Sequence, residues 1–307
     1  MPIPIPVELD RCAPGVTGDF LSSTCPLPEG WERGISFQDT SCLTPTVMGE
    51  CPACPPGLKD AQTAGTETFR PVSLISAVEC STFGGVDVQM VADEIITLTS
   101  GYALAREMLT GEAARRDANP RAQGDQFNPS LQGNALNIGD AFADPFEAFG
   151  CLEQAIADTT GGRRGYILIG PEIAMQLMPY LYREGGRLYT PAGTRVVVDA
   201  GFDGRAPGEI SPGDESPGDC IPWNTTGAPQ MGDQLYIYAT SSIWAGVGGL
   251  GTRQMLSDVD RQNNTARARD ERIALAAFTP CSTFAAGSGV TKACGSFINS
   301  PGPIPAP

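Results

Sequence analysis

Near its end the chain carries a run in which small or apolar residues alternate with charged ones, NNTARARDERIALAAFTP at residues 263–280. Alanine and arginine alternate over 266–269, and apolar residues occupy every second position over 273–277. A period of two places one set of side chains on a buried strand face and the charges on the other. Pro280 closes the run because proline cannot donate to a sheet ladder. The pattern predicts one long return strand.

A second periodic segment, Val88 to Thr110, has the spacing of a long helix. Its apolar residues recur at alternating intervals of three and four, which predicts one buried stripe over about six turns. Gly111 is a suitable C-cap, so the helix should end there. The predicted stripe consists of Val88, Val91, Ile95, Leu98, Tyr102, Ala105 and Leu109.

Between these two segments, helical and strand-like stretches alternate. Asp144 is an N-cap followed by proline, and the helix that it starts should end near Thr160. A further helix begins at Gly170-Pro171. The strand-like stretches are 166–169, 195–198, 235–238 and 243–247. The alternation predicts a mixed α/β unit inserted between the long helix and the return strand.

The first eighty residues are less regularly patterned than the rest of the chain. Residues 1–30 are rich in proline with little periodicity, as expected for an extended arm or a disordered tail. Strand-like stretches at 34–37 and 69–78 flank a loop rich in Pro, Gly, Thr and Cys. A long excursion flanked by strands predicts a two-stranded flap.

Composition excludes several classes of function. The 307 residues include 35 acidic and 20 basic side chains, giving a net charge of −15, and only Lys59 and Lys292 are lysines. A protein that coats nucleic acid needs clustered basic residues, and none occur here. The chain has no histidine, which excludes Ser-His-Asp and Cys-His catalysis and His-ligated zinc or haem. Carboxylate pairs, thiolates and lysines are the catalytic groups that remain, and we expect no cofactor.

Ten cysteines are unusual for a cytosolic protein, and six of them lie in the first eighty residues. The opening MPIPIPVELDRCAP does not resemble a signal peptide, and no run of eighteen apolar residues occurs, so free thiols and no membrane span are expected. Cys51 and Cys54 form a CxxC, but a structural zinc site requires four ligands. We expect no metal.

Five segments together resemble the major capsid proteins of tailed bacteriophages, whose Hong Kong 97-type fold is shared with encapsulin shells. The segment at 263–280 resembles the last core strand of that family, and LTSGYALAREMLTGEA resembles the end of its spine helix. GRRGYILIGPEIAMQL and GGRLYTPAGTRVVVDAG resemble consecutive parts of its axial domain, and RPVSLISAVECSTFG resembles the strand that leaves its extended loop. Likeness of fold is evidence by association.

The resemblance implies an α+β fold with an N-terminal arm, an extended β-hairpin loop, a peripheral domain with a spine helix and β-sheet, and an inserted α/β axial domain. The implied divisions are an arm at 1–34, an extended loop at 35–80, a peripheral domain at 81–140, an axial domain at 141–255, the peripheral return strand at 256–292 and a C-terminal tail at 293–307.

The resemblance also implies a function. Copies of the chain would assemble into hexamers and pentamers of an icosahedral head that encloses packaged double-stranded DNA without sequence-specific binding. Assembly would occur in the host cytoplasm, the virion would be the final location, and portal and scaffold or decoration proteins would be partners. The alternative within the same fold is an encapsulin-type nanocompartment holding protein cargo.

Some members of the family crosslink their subunits through an isopeptide bond. By that resemblance the candidates here are Lys59 in the flap, Asn263 at the start of the return strand and Asp270 as proton acceptor. The reaction would need a neutral, desolvated lysine beside the amide. The alternative is a purely structural role in which Asn263 caps a strand, and we expect no crosslink.

The cysteines suggest a second covalent device. Segments rich in Pro and Gly cannot bury a core of their own and often need covalent staples. We expect that some pair once a particle leaves the reducing cytosol, the alternative being buried, inert thiols. The candidates are Cys12, Cys25, Cys42, Cys51, Cys54 and Cys80.

Two further classes remain as alternatives. A secreted, disulfide-linked binding protein would explain the ten cysteines but not the opening sequence. The other alternative is a hydrolase that depends on a cysteine or a carboxylate, but no nucleophile motif supports it.

Overall fold

The predicted helices and strands occur in the predicted order, and the structure adds elements that the pattern did not predict. The computed structural model describes residues 5–6, 20–39, 65–81, 87–111, 128–139, 142, 144–208, 233–248, 254–260 and 264–292. The first elements are β1 (Ile5–Pro6), α1 (Phe20–Ser23), β2 (Ile35–Asp39), β3 (Gly65–Phe69), β4 (Val72–Ser81), α2 (Val88–Thr110), α3 (Leu131–Asn134) and β5 (Leu136–Asn137).

The second part of the chain contains the α/β unit and the return strand. Its elements are α4 (Pro145–Thr160), β6 (Tyr166–Ile169), α5 (Pro171–Leu177), β7 (Tyr182–Glu184), β8 (Arg187–Tyr189), β9 (Arg195–Val198), β10 (Gln234–Thr240), β11 (Ile243–Val247), β12 (Gln254–Asp260), β13 (Thr265–Phe278) and β14 (Phe284–Thr291). Short 3₁₀ helices lie at Trp31–Arg33, Met178–Tyr180 and Pro280–Ser282. The predicted α+β fold class is confirmed, and no helix among the described residues is long and apolar enough to cross a bilayer.

A seven-stranded mixed sheet forms the α/β unit, in the order β5-β14-β10-β6-β9-β8-β7. Strands β6 and β9 are parallel, and the helix between them, α5, packs with α4 on one face of the sheet. Ile167, Ile169 and Val196 point into that layer, while Tyr166, Leu168 and Val197 point into the larger core on the opposite face. Because both faces are covered, these strands consist of near-continuous apolar residues.

A second sheet is built on the return strand. One edge of β13 pairs antiparallel with β4 from Thr265↔Ser81 to Ala274↔Val72. Its other edge pairs with β12 and then with β11. The predicted long strand is therefore confirmed, and it is the central strand that joins the flap, the long helix and the α/β unit.

A small sheet supports the base of the flap. Strands β2 and β3 pair from Ile35↔Phe69 to Asp39↔Gly65, and β1 pairs with β2 in parallel. Phe37 stacks on Phe69 at 5.9 Å, and Phe69 meets the ring of Phe278 edge-on at 5.5 Å. These aromatic contacts fix the base of the hairpin to β13.

The helix α2 begins and ends where the sequence predicts. The Asp87 side chain accepts hydrogen bonds from the backbone N–H of Gln89 and Met90. Gly111 adopts a left-handed conformation with φ of 65°, and its N–H bonds the Glu107 carbonyl at 2.6 Å. Glycine suits this position because it has no Cβ to clash.

The buried face of α2 differs from the predicted stripe. Ile95, Leu98 and Tyr102 are 41%, 74% and 40% exposed, so their predicted burial is wrong. The face that packs on β4 and β13 recurs every four residues and consists of Val88, Ala92, Ile96, Ser100, Leu104 and Met108. Ala92 packs against Ala268, and small side chains on both elements let helix and sheet lie close together.

The chain crosses twice between the seven-stranded sheet and the sheet of β13, and the two crossings lie next to each other. The chain leaves the α/β unit between β10 and β11 and re-enters it between β13 and β14. Thr279 lies at the centre of this junction, where its Oγ1 is 3.0 Å from Thr240 Oγ1 and 2.7 Å from Ser241 Oγ. Ser282 Oγ donates to Ser241 Oγ at 2.7 Å, so buried hydroxyls bridge both crossings.

These crossings place the limits of the sheets away from the ranges implied by the resemblance. β11, inside the range 141–255, lies in the sheet of β13. β14, inside the range 256–292, lies in the seven-stranded sheet, where it also pairs with β5 from the range 81–140. The division into domains by those ranges stays a prediction, and β14 shows that the last strand returns to the α/β unit.

Candidate interaction surfaces

The base of the flap carries a polar pair on its half-buried strands. Asp39 is 3% exposed, and its Oδ2 accepts the backbone N–H of Cys281 at 2.8 Å. Burial raises the pKa of the neighbouring Glu67 above its ordinary value, and the negative charge of Asp39 raises it further. Lys59, the flap lysine considered for crosslinking, lies outside the described residues.

Asp270 occupies the helix-facing side of β13. It is fully buried, and its Oδ2 lies 3.2 Å from Nη2 of Arg272. The same Nη2 pairs with Asp93 on α2. The carboxylate thus belongs to an ion-pair group that joins strand and helix, a role that explains its burial without any reaction. Asn263 lies outside the described residues, so the crosslink stays a prediction.

The cysteines differ in state. Cys25 and Cys281 are disulfide-bonded, and Cys281 was not among the predicted candidates. Cys80 was a candidate, but the structure has it as a half-buried free thiol, and Cys151 is an exposed free thiol. Cys12, Cys42, Cys51 and Cys54 lie outside the described residues, so their pairing stays a prediction.

One exposed apolar surface runs along α2. Ile95, Leu98 and Tyr102 follow one another at intervals of three and four residues, which places them on one helix face. All three are at least 40% exposed. We call this face the outer stripe of α2.

A second exposed apolar surface lies at the end of the α/β unit. Phe146 meets Tyr180 edge-on with ring centroids 4.2 Å apart, and Tyr182 stacks on Tyr189 at 5.4 Å. Met175 nearby in the chain is 74% exposed. We call this surface the aromatic patch; its exposed members are Phe146, Met175, Met178, Tyr180 and Tyr182. Aromatic and methionine side chains are enriched where proteins meet other proteins.

A cavity of about 220 Å³ lies at the carboxyl ends of β6 and β9. Asp203 lines it and accepts from Arg106 Nη1 at 2.6 Å and Arg205 Nε at 2.9 Å. Burial raises the pKa of Asp203, and the charges of Arg106 and Lys292 oppose that shift. The side chains of Arg106 and Arg205 are only 7% and 1% exposed, so we interpret this ion-pair group as an internal support of the fold.

The sequence reading missed this ion-pair group. Asp203 and Arg205 stand in a Gly-rich loop with no periodicity, and Arg106 lies among apolar residues of α2. The sequence carries no signal for it, since the loop and α2 meet only in the fold, where a Cβ on Gly201 would stand 2.7 Å from the Arg106 backbone nitrogen. Among the described residues, no three His, Cys, Asp or Glu side chains are grouped to hold a metal ion.

Comparisons with known proteins give structural neighbours only. No protein-family model and no curated protein matches the chain. A capsid of an empty GTA particle is similar with a TM-score of 0.48 and 11% identity, covering 94% of this chain and 95% of the other. A chain of Mycobacterium phage Ogopogo gives a TM-score of 0.46 and 15% identity, with 92% and 95% covered. The holo-SrpI encapsulin complex of Synechococcus elongatus gives a TM-score of 0.42 and 8% identity, covering 74% of this chain and 76% of the other.

Proposed function

We propose that this chain is the shell-forming subunit of a viral capsid, a structural protein and not an enzyme. The observation that carries the proposal is the path of the chain. The flap strands lead into the long helix, the α/β unit follows, and β13 returns to pair with β4 and pack on α2. This is the order that the sequence resemblance implies.

The exposed surfaces support assembly. Soluble monomers rarely expose contiguous apolar patches, and such patches mark contacts with other proteins. This chain exposes both the outer stripe of α2 and the aromatic patch, on different elements. Two separate surfaces allow head-to-tail contacts that close into rings and shells.

In full, the proposal is that copies form hexamers and pentamers of an icosahedral head around double-stranded DNA. Portal and scaffold or decoration proteins would complete the head, and the virion is the proposed location. A net charge of −15 suits a container that does not adhere to the nucleic acid inside it.

The test is assembly of the full chain, alone and coexpressed with the scaffold and portal proteins of its own genome. We expect closed shells in negative-stain micrographs and a sedimentation coefficient far above that of a dimer. Nuclease-resistant double-stranded DNA inside mature particles would separate a virion head from a compartment with protein cargo. A stable monomer or dimer under every condition contradicts the proposal.

A further inference from the structure

A row of aromatic and basic side chains crosses one edge of the seven-stranded sheet. Tyr182 stands opposite Tyr189, Tyr189 opposite Arg195, and Arg195 opposite Tyr166. Residues opposite one another on neighbouring strands point to the same face. The row therefore runs from the exposed Tyr182 at the sheet edge to the buried Tyr166.

Arg195 lies in the middle of the row and is only 6% exposed. Its guanidinium carbon is 5.7 Å from the centre of the Tyr166 ring. Its Nη2 makes one long hydrogen bond, 3.4 Å, to the backbone carbonyl of Ser22. Its Nε and Nη1 are buried without an acceptor at hydrogen-bond distance, and the Tyr166 hydroxyl offsets the cost of its burial only in part.

Arg187 lies two residues before Tyr189 on the same strand and therefore on the same face. It is half-buried, and its Nε and Nη2 are also enclosed without an acceptor. Glu184 stands opposite Arg187 across the hairpin but is exposed. Within the described part of the chain, neither arginine forms an ion pair with a carboxylate.

Buried N–H groups that lack acceptors are costly, and each of these two arginines has them. Arginine does not lose its proton in proteins, and buried donors left unpaired retain their full desolvation cost. Burial lowers the pKa of Arg195 and raises that of Tyr166, so Tyr166 stays a neutral phenol and cannot balance the charge. A guanidinium fork fits two oxygens of one carboxylate or phosphate group.

We propose that Arg195 and Arg187 form a binding site for an oxyanion at the β7–β8 edge of the sheet. The fork formed by Nε and Nη2 of Arg187 donates to two of its oxygens, Arg195 adds a single N–H donor, and the stacked Tyr182 and Tyr189 border the entrance. The oxyanion is either a dissolved phosphate-like ion or a carboxylate of a neighbouring copy. Both present negatively charged oxygens that accept hydrogen bonds from arginine.

The first experiment uses inorganic phosphate as the probe and the dissociated full-length chain, with equilibrium dialysis at constant ionic strength. We expect saturable uptake of about one phosphate per chain, as a single paired site implies. Arg187→Gln and Arg195→Gln should each weaken it by about tenfold or more, because each removes charged donors to the oxyanion. Arg183→Gln is the matched control, since Arg183 lies on the same hairpin but opposite Leu188, on the other face.

Circular dichroism shows which variants fold. If Arg195→Gln does not, Arg187→Gln decides, because Arg187 is only half-buried. Absence of saturable uptake, or uptake that Arg187→Gln leaves unchanged, overturns the site. The enclosed donors would then be satisfied by water.

A second experiment identifies the source of the oxyanion and rests on the proposed assembly. Phosphate uptake is compared between dissociated chains and intact particles. Uptake lost on assembly assigns the site to a carboxylate of a neighbouring copy, and uptake retained assigns it to a dissolved ion. Either result supports the site, and a failure of the chain to assemble leaves the first experiment intact.

Discussion

At the scale of single residues, Arg272 joins the return strand to the long helix. It is 15% exposed and pairs with Asp93 on α2 and with the fully buried Asp270 on its own strand. Removing one partner of a buried ion pair leaves an uncompensated charge, whereas exposed pairs contribute little. The three charges therefore fix how helix and sheet pack.

Arg272→Met should lower the free energy of unfolding by about 3 kcal/mol, because Asp93 and the buried Asp270 lose the guanidinium that they share. Arg267→Met is the control: Arg267 pairs with Glu79, both are exposed at 60% and 45%, and we expect a loss of about 1 kcal/mol or less. Urea unfolding followed by circular dichroism measures both. Equal losses in the two variants would contradict the assigned role of Arg272.

The sequence could not predict these pairings. It identified Asp270 as a charged residue on a strand with period two, but the helix packed against that strand decides whether the carboxylate is buried. Arg195 was likewise visible only as the first residue of a strand-like stretch. Its enclosure depends on α1 and on the hairpin β7–β8, which come from distant parts of the chain.

At the scale of elements, the existence and order of helices and strands follow from local chemistry. Asp144-Pro145 begins α4, Gly111 ends α2, and Pro280 ends β13, as predicted. β14 escaped prediction because FAAGSGVT, apart from its first residue, consists mainly of small residues without a clear period. Its small side chains fit between β5 and β10 in the seven-stranded sheet.

The orientation of α2 was predicted wrongly because its sequence offers two apolar faces. Large side chains form the outer stripe, whereas the buried face includes small ones such as Ala92 and Ser100. Counting the large apolar side chains on each face favours burial of the outer stripe. Close packing against β4 and β13 selects the other face, because small residues let the helix approach the sheet.

This geometry predicts opposite outcomes for two substitutions in one helix. Leu104→Asp should prevent folding, since Leu104 is fully buried and an unpaired buried charge costs several kcal/mol, on the order of total domain stability. Leu98→Asp should leave the fold intact, because Leu98 is 74% exposed, and should impair assembly. Soluble yield and thermal melting measure folding, and sedimentation measures assembly. An unfolded Leu98→Asp chain would contradict the observed face.

At the scale of the whole molecule, β13 and the paired crossings make the two sheets one structure. β13 contacts the base of the flap, the long helix and the neighbouring strands of its own sheet. The hydroxyls around Thr279 bridge both crossings between the sheets. The path of the chain through these sheets could be expected from the resemblance. The strand exchange at β11 and β14 could not, since it depends on pairing between residues far apart in the chain, as in Tyr238↔Ala285.

The same arrangement bears on covalent crosslinking between subunits. An isopeptide bond between Lys59 and Asn263 would need a carboxylate that accepts the lysine proton while the ammonium loses its charge. Asp270 is the candidate acceptor, but it is fully buried and already engaged by Arg272. The Arg272 guanidinium already occupies its Oδ2, so the carboxylate would have to leave a buried ion pair before accepting the lysine proton. We therefore expect particles boiled in denaturant and reductant to run as a single monomer band, identical for wild type and Lys59→Ala. A covalent ladder that Lys59→Ala abolishes would contradict this expectation and would require a different acceptor from Asp270.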